Sequence, residues 1–272
     1  MQALSSEISI AVIHMKIELA NKRRNLERVY RFARIAKSEG AQILILPSMF
    51  NIGPVFSDEY KVRFGRKSAI EPIPGPSSEH LHKIASEIGM HIIAGPIPER
   101  VGSKLYKTSF VVEPWRGIVA KFRQVATKKF AGGSEPALLN LGIRFGIFIE
   151  DDILLPELAL YLALSQVDAL LAFLSLDTMG TKQRLALSIR AIESSSIGIG
   201  IGGIVARSGE ILFEVPTTVF DEYGNLVEEV KGLEERVMMV RIKKKDHVKM
   251  FKSNRYKILK ELRKLYIALK KH

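Results

Sequence analysis

The chain has 272 residues, 47% of them apolar and 26% charged, enough to bury one large core within the size range of a single α/β domain spanning 1–272. It contains no cysteine, which excludes disulfides, thiolate metal ligands and thiol nucleophiles together. The formal net charge is +12, yet thirteen Lys or Arg against Asp246 and Glu261 fall between Arg241 and His272, so the basicity belongs to the segment 241–272 and not to the rest of the chain.

The most apolar stretch, Leu154 to Leu176, is interrupted by Glu157, Gln166 and Asp168 and could not cross a bilayer, so no membrane partner is expected. The opening MQALSSEISIAVIHM has no basic region followed by an apolar one, and a cytoplasmic location is the expectation. Scarce Asn and Gln with abundant Lys and Ile give a composition compatible with high temperature.

Periodicity predicts a strand over Ile8–His14, a helix over Asn21–Glu39 that stops at Gly40, and a short strand over Ala41–Leu46, a βαβ start. A helix over Ser77–Ile88 stops at Gly89, followed by strands over Met90–Ala94, Thr108–Glu113 and Gly117–Phe122. Phe145–Ile149 reads as a strand, Pro156 opens a helix where its missing N–H costs nothing, and Ala169–Leu174 reads as a buried strand. After a helix over Thr181–Ser195 come antiparallel strands over Gly198–Ala206, Glu210–Phe220 and Leu226–Ile242. A last helix, Asn254–Lys271, carries Ile258, Leu262, Leu265 and Leu269 on one stripe.

Several ordered landmarks carry a family resemblance. They are the strand running to Met15, Asn25-Leu26 in the first helix, Ile43-Leu-Ile-Leu-Pro47, Gly146-Ile-Phe-Ile-Glu-Asp-Asp-Ile-Leu-Leu-Pro-Glu157, Arg190-Ala-Ile-Glu193, and Thr218-Val-Phe-Asp-Glu-Tyr-Gly224. Taken together they resemble the nitrilase (carbon–nitrogen hydrolase) superfamily over nearly the whole chain. The resemblance implies an α/β fold, a four-layer α-β-β-α sandwich of two mixed sheets with helices outside, and a homo-oligomer, dimer or higher, formed through helical faces.

It also implies a reaction: a thiolate attacks a nitrile or amide carbon, a carboxylate moves the proton, and an ammonium stabilises the oxyanion. By this resemblance the nucleophile's position, after Gly146-Ile-Phe-Ile, is Glu150; the general base's, after Leu46-Pro47, is Ser48; and the lysine's, after Phe122-Arg123, is Gln124. Only five residues separate Gln124 from Phe130, where active relatives are expected to carry a longer loop with a second glutamate. Removing one member of a cooperating triad can cost about 10⁶ in rate, so no catalytic residue of the family's type is expected. Lys121, Lys128, Asp151 and Asp152 are candidate pocket residues, with Lys129 a further cation that could reach inward. On an extended segment Glu150 and Asp152 would face one way and Asp151 the other.

Other signals read as structure. Gly198-Ile-Gly200-Ile-Gly-Gly203 fits G-x-G-x-x-G but follows a helix and continues as a strand, the reverse of a dinucleotide site's context, so a glycine-faced strand in close packing is expected and no cofactor. His80 and His82 lie on different faces of one helix, and Asp151, Asp152 and Glu157 suit a helix start, so no metal is expected. Arg190 and Glu193 are spaced for an ion pair along one helix face.

Three functions follow. The first is a non-catalytic protein binding a small ligand in the former active-site pocket, or a protein partner. The second is a hydrolase of amide-like C–N bonds with Glu150 as base or nucleophile. The third binds nucleic acid or an acidic partner through the basic tail, where Phe251, Tyr256 and Tyr266 are too widely spaced to favour base stacking.

Overall fold

The computed structural model describes residues 7–57 and 70–245, with 260, 261, 263, 264 and 267 beyond them. Alternation along the strands sorts their side chains into two cores. In β1 (Glu7–His14) Ile10 and Val12 point to one side while Ala11 and Ile13 point to the other, and all four are fully buried. A strand apolar on both faces must lie inside a layered structure. It pairs antiparallel with β15 (Arg236–Lys243) and parallel with β3 (Ile43–Ile45). With β4 (His91–Val101), β5 (Lys104–Glu113) and β6 (Gly117–Arg123) these form a six-stranded sheet in the order β15-β1-β3-β4-β5-β6.

The second six-stranded sheet has the order β14-β13-β10-β9-β8-β7. Its strands are β7 (Ala137–Asn140), β8 (Arg144–Ile149), β9 (Ala169–Phe173), β10 (Ile197–Ile201), β13 (Thr217–Phe220) and β14 (Leu226–Val230). Ile10, Val12, Ile45, Ile93 and Val111 of the first sheet share a core with Phe145, Ile147, Leu171, Phe173 and Ile199 of the second. The outer faces pack on helices: α1 (Lys22–Ser38) and α2 (Pro76–Ile88) cover the first sheet, α3 (Pro156–Leu164) and α4 (Met179–Ser194) the second. This is the expected four-layer sandwich.

The differences in the second half have steric causes. The expected strand Leu226–Ile242 is two, β14 and β15, which lie at the edges of different sheets; Gly198–Ala206 is also two, β10 and β11 (Gly203–Arg207), and so is Glu210–Phe220, as β12 (Glu210–Val215) and β13. In the last two the breaks fall at Gly202 and Pro216. A Cβ on Gly202 would lie 2.0 Å from Val215 O and 2.5 Å from Pro216 O, so the two bends touch backbone to backbone. Past the bends, β11 and β12 leave the large sheet and form a three-stranded one with β2 (Lys16–Glu18). The pairing is not purely antiparallel: β10 is parallel to β9 and β11 to β2. β2 and β7, three and four residues long, were too short for alternation to reveal. The glycine-faced strand is present, with Leu187 of α4 seated against Gly198 and Gly200. Most of the expected helix Asn254–Lys271 lies outside the described residues; those described are helical.

Asn25 ties the first helix to the segment that carries Ser48. Fully buried, it accepts from Glu18 N at 2.8 Å and donates to Glu18 O at 2.8 Å and Asn51 O at 3.0 Å. Asn25→Leu would leave buried backbone groups unpaired at about 1–3 kcal/mol each. A drop of several kcal/mol in urea-unfolding free energy is expected, and a change under about 1 kcal/mol would refute this role.

Candidate active site

β8 runs apolar to Ile149 and stops at Glu150, whose φ is +51°. A left-handed backbone is uncommon for a residue with a side chain and costs about 1–3 kcal/mol. It turns the chain at once into the 3-10 turn Glu150–Leu154, and Pro156 then opens α3. Extended alternation therefore does not apply here. Glu150 and Asp151 both line one cavity of about 750 Å³, while Asp152 turns beneath a neighbouring loop. The expected grouping of Glu150 with Asp152 is corrected on this geometry.

The cation facing Glu150 is Lys107, which sequence reading did not single out. Lys107 shares the inward face of β5 with Ser109 and Val111, and Val111 belongs to the core between the sheets. Its ammonium makes an ion pair with Glu150 Oε2 and lies 5.4 Å from the Phe130 ring centre. Gln124 follows β6 on the adjacent strand, and its backbone N donates to Lys107 O at 2.9 Å. The cation paired with Glu150 thus comes from β5 and not from the Gln124 position. A lysine interrupting an apolar face was the one available signal, and nothing in the sequence said what it would meet.

Gln124 lines the cavity, and its buried Oε1 has no hydrogen-bond partner. Ser48 is fully buried with an unpartnered Oγ, but is not among the cavity's lining residues. Lys128 lines the cavity from an exposed position. Lys121 does not: on β6 it alternates with the inward Ala120 and Phe122, and its ammonium reaches Glu99 at 3.1 Å and Ile73 O at 3.0 Å on the other face. Among the described residues no group of three or more His, Cys, Asp or Glu could hold a metal ion.

The short loop after Gln124 is held from below. Asp152 Oδ1 accepts from Val125 N at 2.8 Å and Ala126 N at 2.6 Å. Gly133 N returns to Gln124 O at 2.7 Å. Phe130, carried by this loop, meets Phe56 edge to face at 6.0 Å. From the other side Arg190 ties α4 to the turn by donating to Ile153 O at 3.1 Å, and pairs with Glu193 at 2.8 Å as its spacing predicts.

Burial pushes the Asp152 carboxyl up to about 6, against the opposing pull of the Ala126, Val125 and Ile149 N–H groups. An acid whose folded value is raised contributes stability that is present below its unfolded value, near 3.8, and lost as pH rises through about 6. His14, lowered to about 4 chiefly by burial, slopes the other way over part of that range. A comparison with Asp152→Asn isolates the carboxylate. The variant should match the wild type near pH 4 and exceed it at pH 8, by up to about 3 kcal/mol. Urea midpoints at the two pH values report this, and equal differences at both would reject it.

A family model described as carbon-nitrogen hydrolase matches residues 9–248. Omega-amidase NIT2 of Homo sapiens is 35% identical over 118 residues, which is 43% of this chain and 39% of that protein. The NIT2 of Xenopus tropicalis is 37% identical over 106 residues, 38% of this chain and 35% of that protein. The matched segments therefore span well under half the length of these curated relatives. Among solved structures, Saccharomyces cerevisiae Nit3, a member of branch 10 of the nitrilase superfamily, aligns with a TM-score of 0.73 at 21% identity, covering 87% of this chain and 90% of that one. An amidase from Nesterenkonia sp. aligns at 0.71 and 19% identity, covering 87% and 90%. At these identities the structural likeness is one of fold.

Proposed function

Because the chain belongs to the carbon-nitrogen hydrolase family, we propose that its cavity hydrolyses a small amide-like carbon–nitrogen bond by carboxylate chemistry, with Glu150 as the base. The observation that carries this reading is Glu150 itself, held in a left-handed backbone at the strand-to-helix turn, lining the cavity and paired with Lys107. Strain of this kind persists where the surroundings over-determine it, and it concentrates at working sites. The name omega-amidase borne by the curated relatives supports an amide as the bond attacked.

In this reaction Glu150 takes a proton from water as the water oxygen bonds to the amide carbon. Lys107 supplies positive charge beside the developing oxyanion. The proton held by Glu150 then passes to the amide nitrogen as the C–N bond breaks, so water and amide become carboxylic acid and ammonia. A second reading, binding without turnover, is favoured by the absence of any cysteine and by Ser48 and Gln124 standing where the family resemblance calls for a glutamate and a lysine.

One assay separates them: ammonia release from a panel of amides, N-carbamoyl compounds and nitriles at high protein concentration. Hydrolysis requires turnover by the wild type and a loss of at least about 10²-fold in kcat/KM for Glu150→Gln. Release unaffected by the substitution removes Glu150 from the mechanism, and no release from any compound leaves the binding reading.

The homo-oligomer belongs to the same proposal. Leu185, Ile189 and Ile192 are each about half exposed or more and repeat along one face of α4, a pattern that favours burial against a second copy. Sedimentation equilibrium should give a dimer or larger at micromolar concentration, and a monomer throughout would exclude it.

A further inference from the structure

Gln183 lies on α4, fully buried, with both ends of its carboxamide in use. Its Oε1 accepts from Ser175 N at 2.7 Å, and its Nε2 donates to Asp151 Oδ1 at 2.8 Å and to Ser175 Oγ at 3.0 Å. A backbone N–H can only donate and a carboxylate can only accept, so this amide has one permitted orientation.

Two groups on the cavity wall are set by it. Asp151 presents Oδ2, which has no partner among the described residues. Ser175 Oγ, which accepts from Gln183, keeps a second acceptor lone pair as well as its own proton. Gln124 lines the same cavity, with its Oε1 buried and without a donor among the described residues. Glu150 is paired with Lys107 through Oε2, and Asp177 and Lys129 have interactions of their own. Among the described residues lining the cavity, Asp151 therefore presents an anionic acceptor oxygen without a partner.

We propose that Gln183 is a positioning residue that fixes Asp151 and Ser175 as a second polar subsite, and that this subsite binds the primary ammonium of a small amino-carboxamide. The proposal deepens the reading above and rests on it for this cavity being the working pocket. With the ammonium on Asp151, the carboxamide end is left for Gln124 and Glu150. A charge-assisted hydrogen bond of this kind is roughly twice as strong as a neutral one.

Three probes share a carboxamide and differ only at the far end: β-alaninamide is cationic, propionamide neutral and succinamate anionic. Calorimetric titration of the full chain at pH 7 should show β-alaninamide binding at least about tenfold tighter than propionamide. Asp151→Asn keeps an oxygen for Gln183 to donate to, and should abolish that preference, bringing β-alaninamide to the affinity of propionamide. Gln183→Leu should bring the ratio towards one, whereas a merely structural residue would weaken all three probes equally.

Equal affinities, tighter succinamate binding or no binding of any probe overturns the subsite, and a preference that survives Gln183→Leu overturns the positioning role. Ammonia release judges the hydrolase reading separately. A cation preference without turnover keeps the subsite and removes the reaction.

Discussion

A glutamate at the end of a strand buried on both faces needs a cation, and the cavity is organised around the one that Glu150 finds. Lys107 comes from the opposite sheet, so this pair is a charged contact between two sheets whose shared core is mainly apolar. Breaking a buried pair by removing one partner leaves an uncompensated charge at about 3–5 kcal/mol, which ties the separation of the two sheets at this end to the site's chemistry. The apolar core sets where the sheets meet, and the ion pair sets where they stop being apolar.

Around that contact the remaining polar groups act as fasteners. Asp152 holds the short loop through two backbone N–H groups, Gln183 holds Asp151 and Ser175, and Arg190 holds the turn against α4. Each uses a buried or half-buried side chain to satisfy backbone or carboxylate atoms that would otherwise lose water without compensation. The site is therefore built from segments distant in sequence: residues 49–57, the β5–β6 edge with its loop, the turn after β8, and the start of α4 with the residues just before it. Ser48 and the Gln124 side chain stand apart from this pattern, with buried oxygens that lack partners. Of these two oxygens, that of Gln124 belongs to a residue lining the cavity and that of Ser48 does not.

Much of the fold was legible because period and punctuation are local. The α1 stripe of Leu26, Val29, Phe32 and Ala33 and the stop at Gly89 follow from side-chain spacing and backbone freedom. Gly198 and Gly200 were legible as a packing face for the same reason. The division of two expected strands at Gly202 and Pro216 was not, since it depends on one bend touching another backbone. In the site, Glu150, Asp151, Gln124 and Lys128 could be found because their segments carry recognisable landmarks. Lys107 and Gln183 could not, because each looks like an ordinary polar residue until its partner is known.

The sequence by itself determined the family, the order of the helices and of the central strands, the absence of a thiol and the acidic turn after Ile149, all properties of residue type and short-range spacing. Only the tertiary structure decided which cation faces Glu150, why Lys121 points away, and how Gln183 commits one oxygen of Asp151 while leaving the other to the cavity. Those outcomes depend on register between strands and on the facing of two sheets, and both are fixed by contacts between residues far apart in the chain.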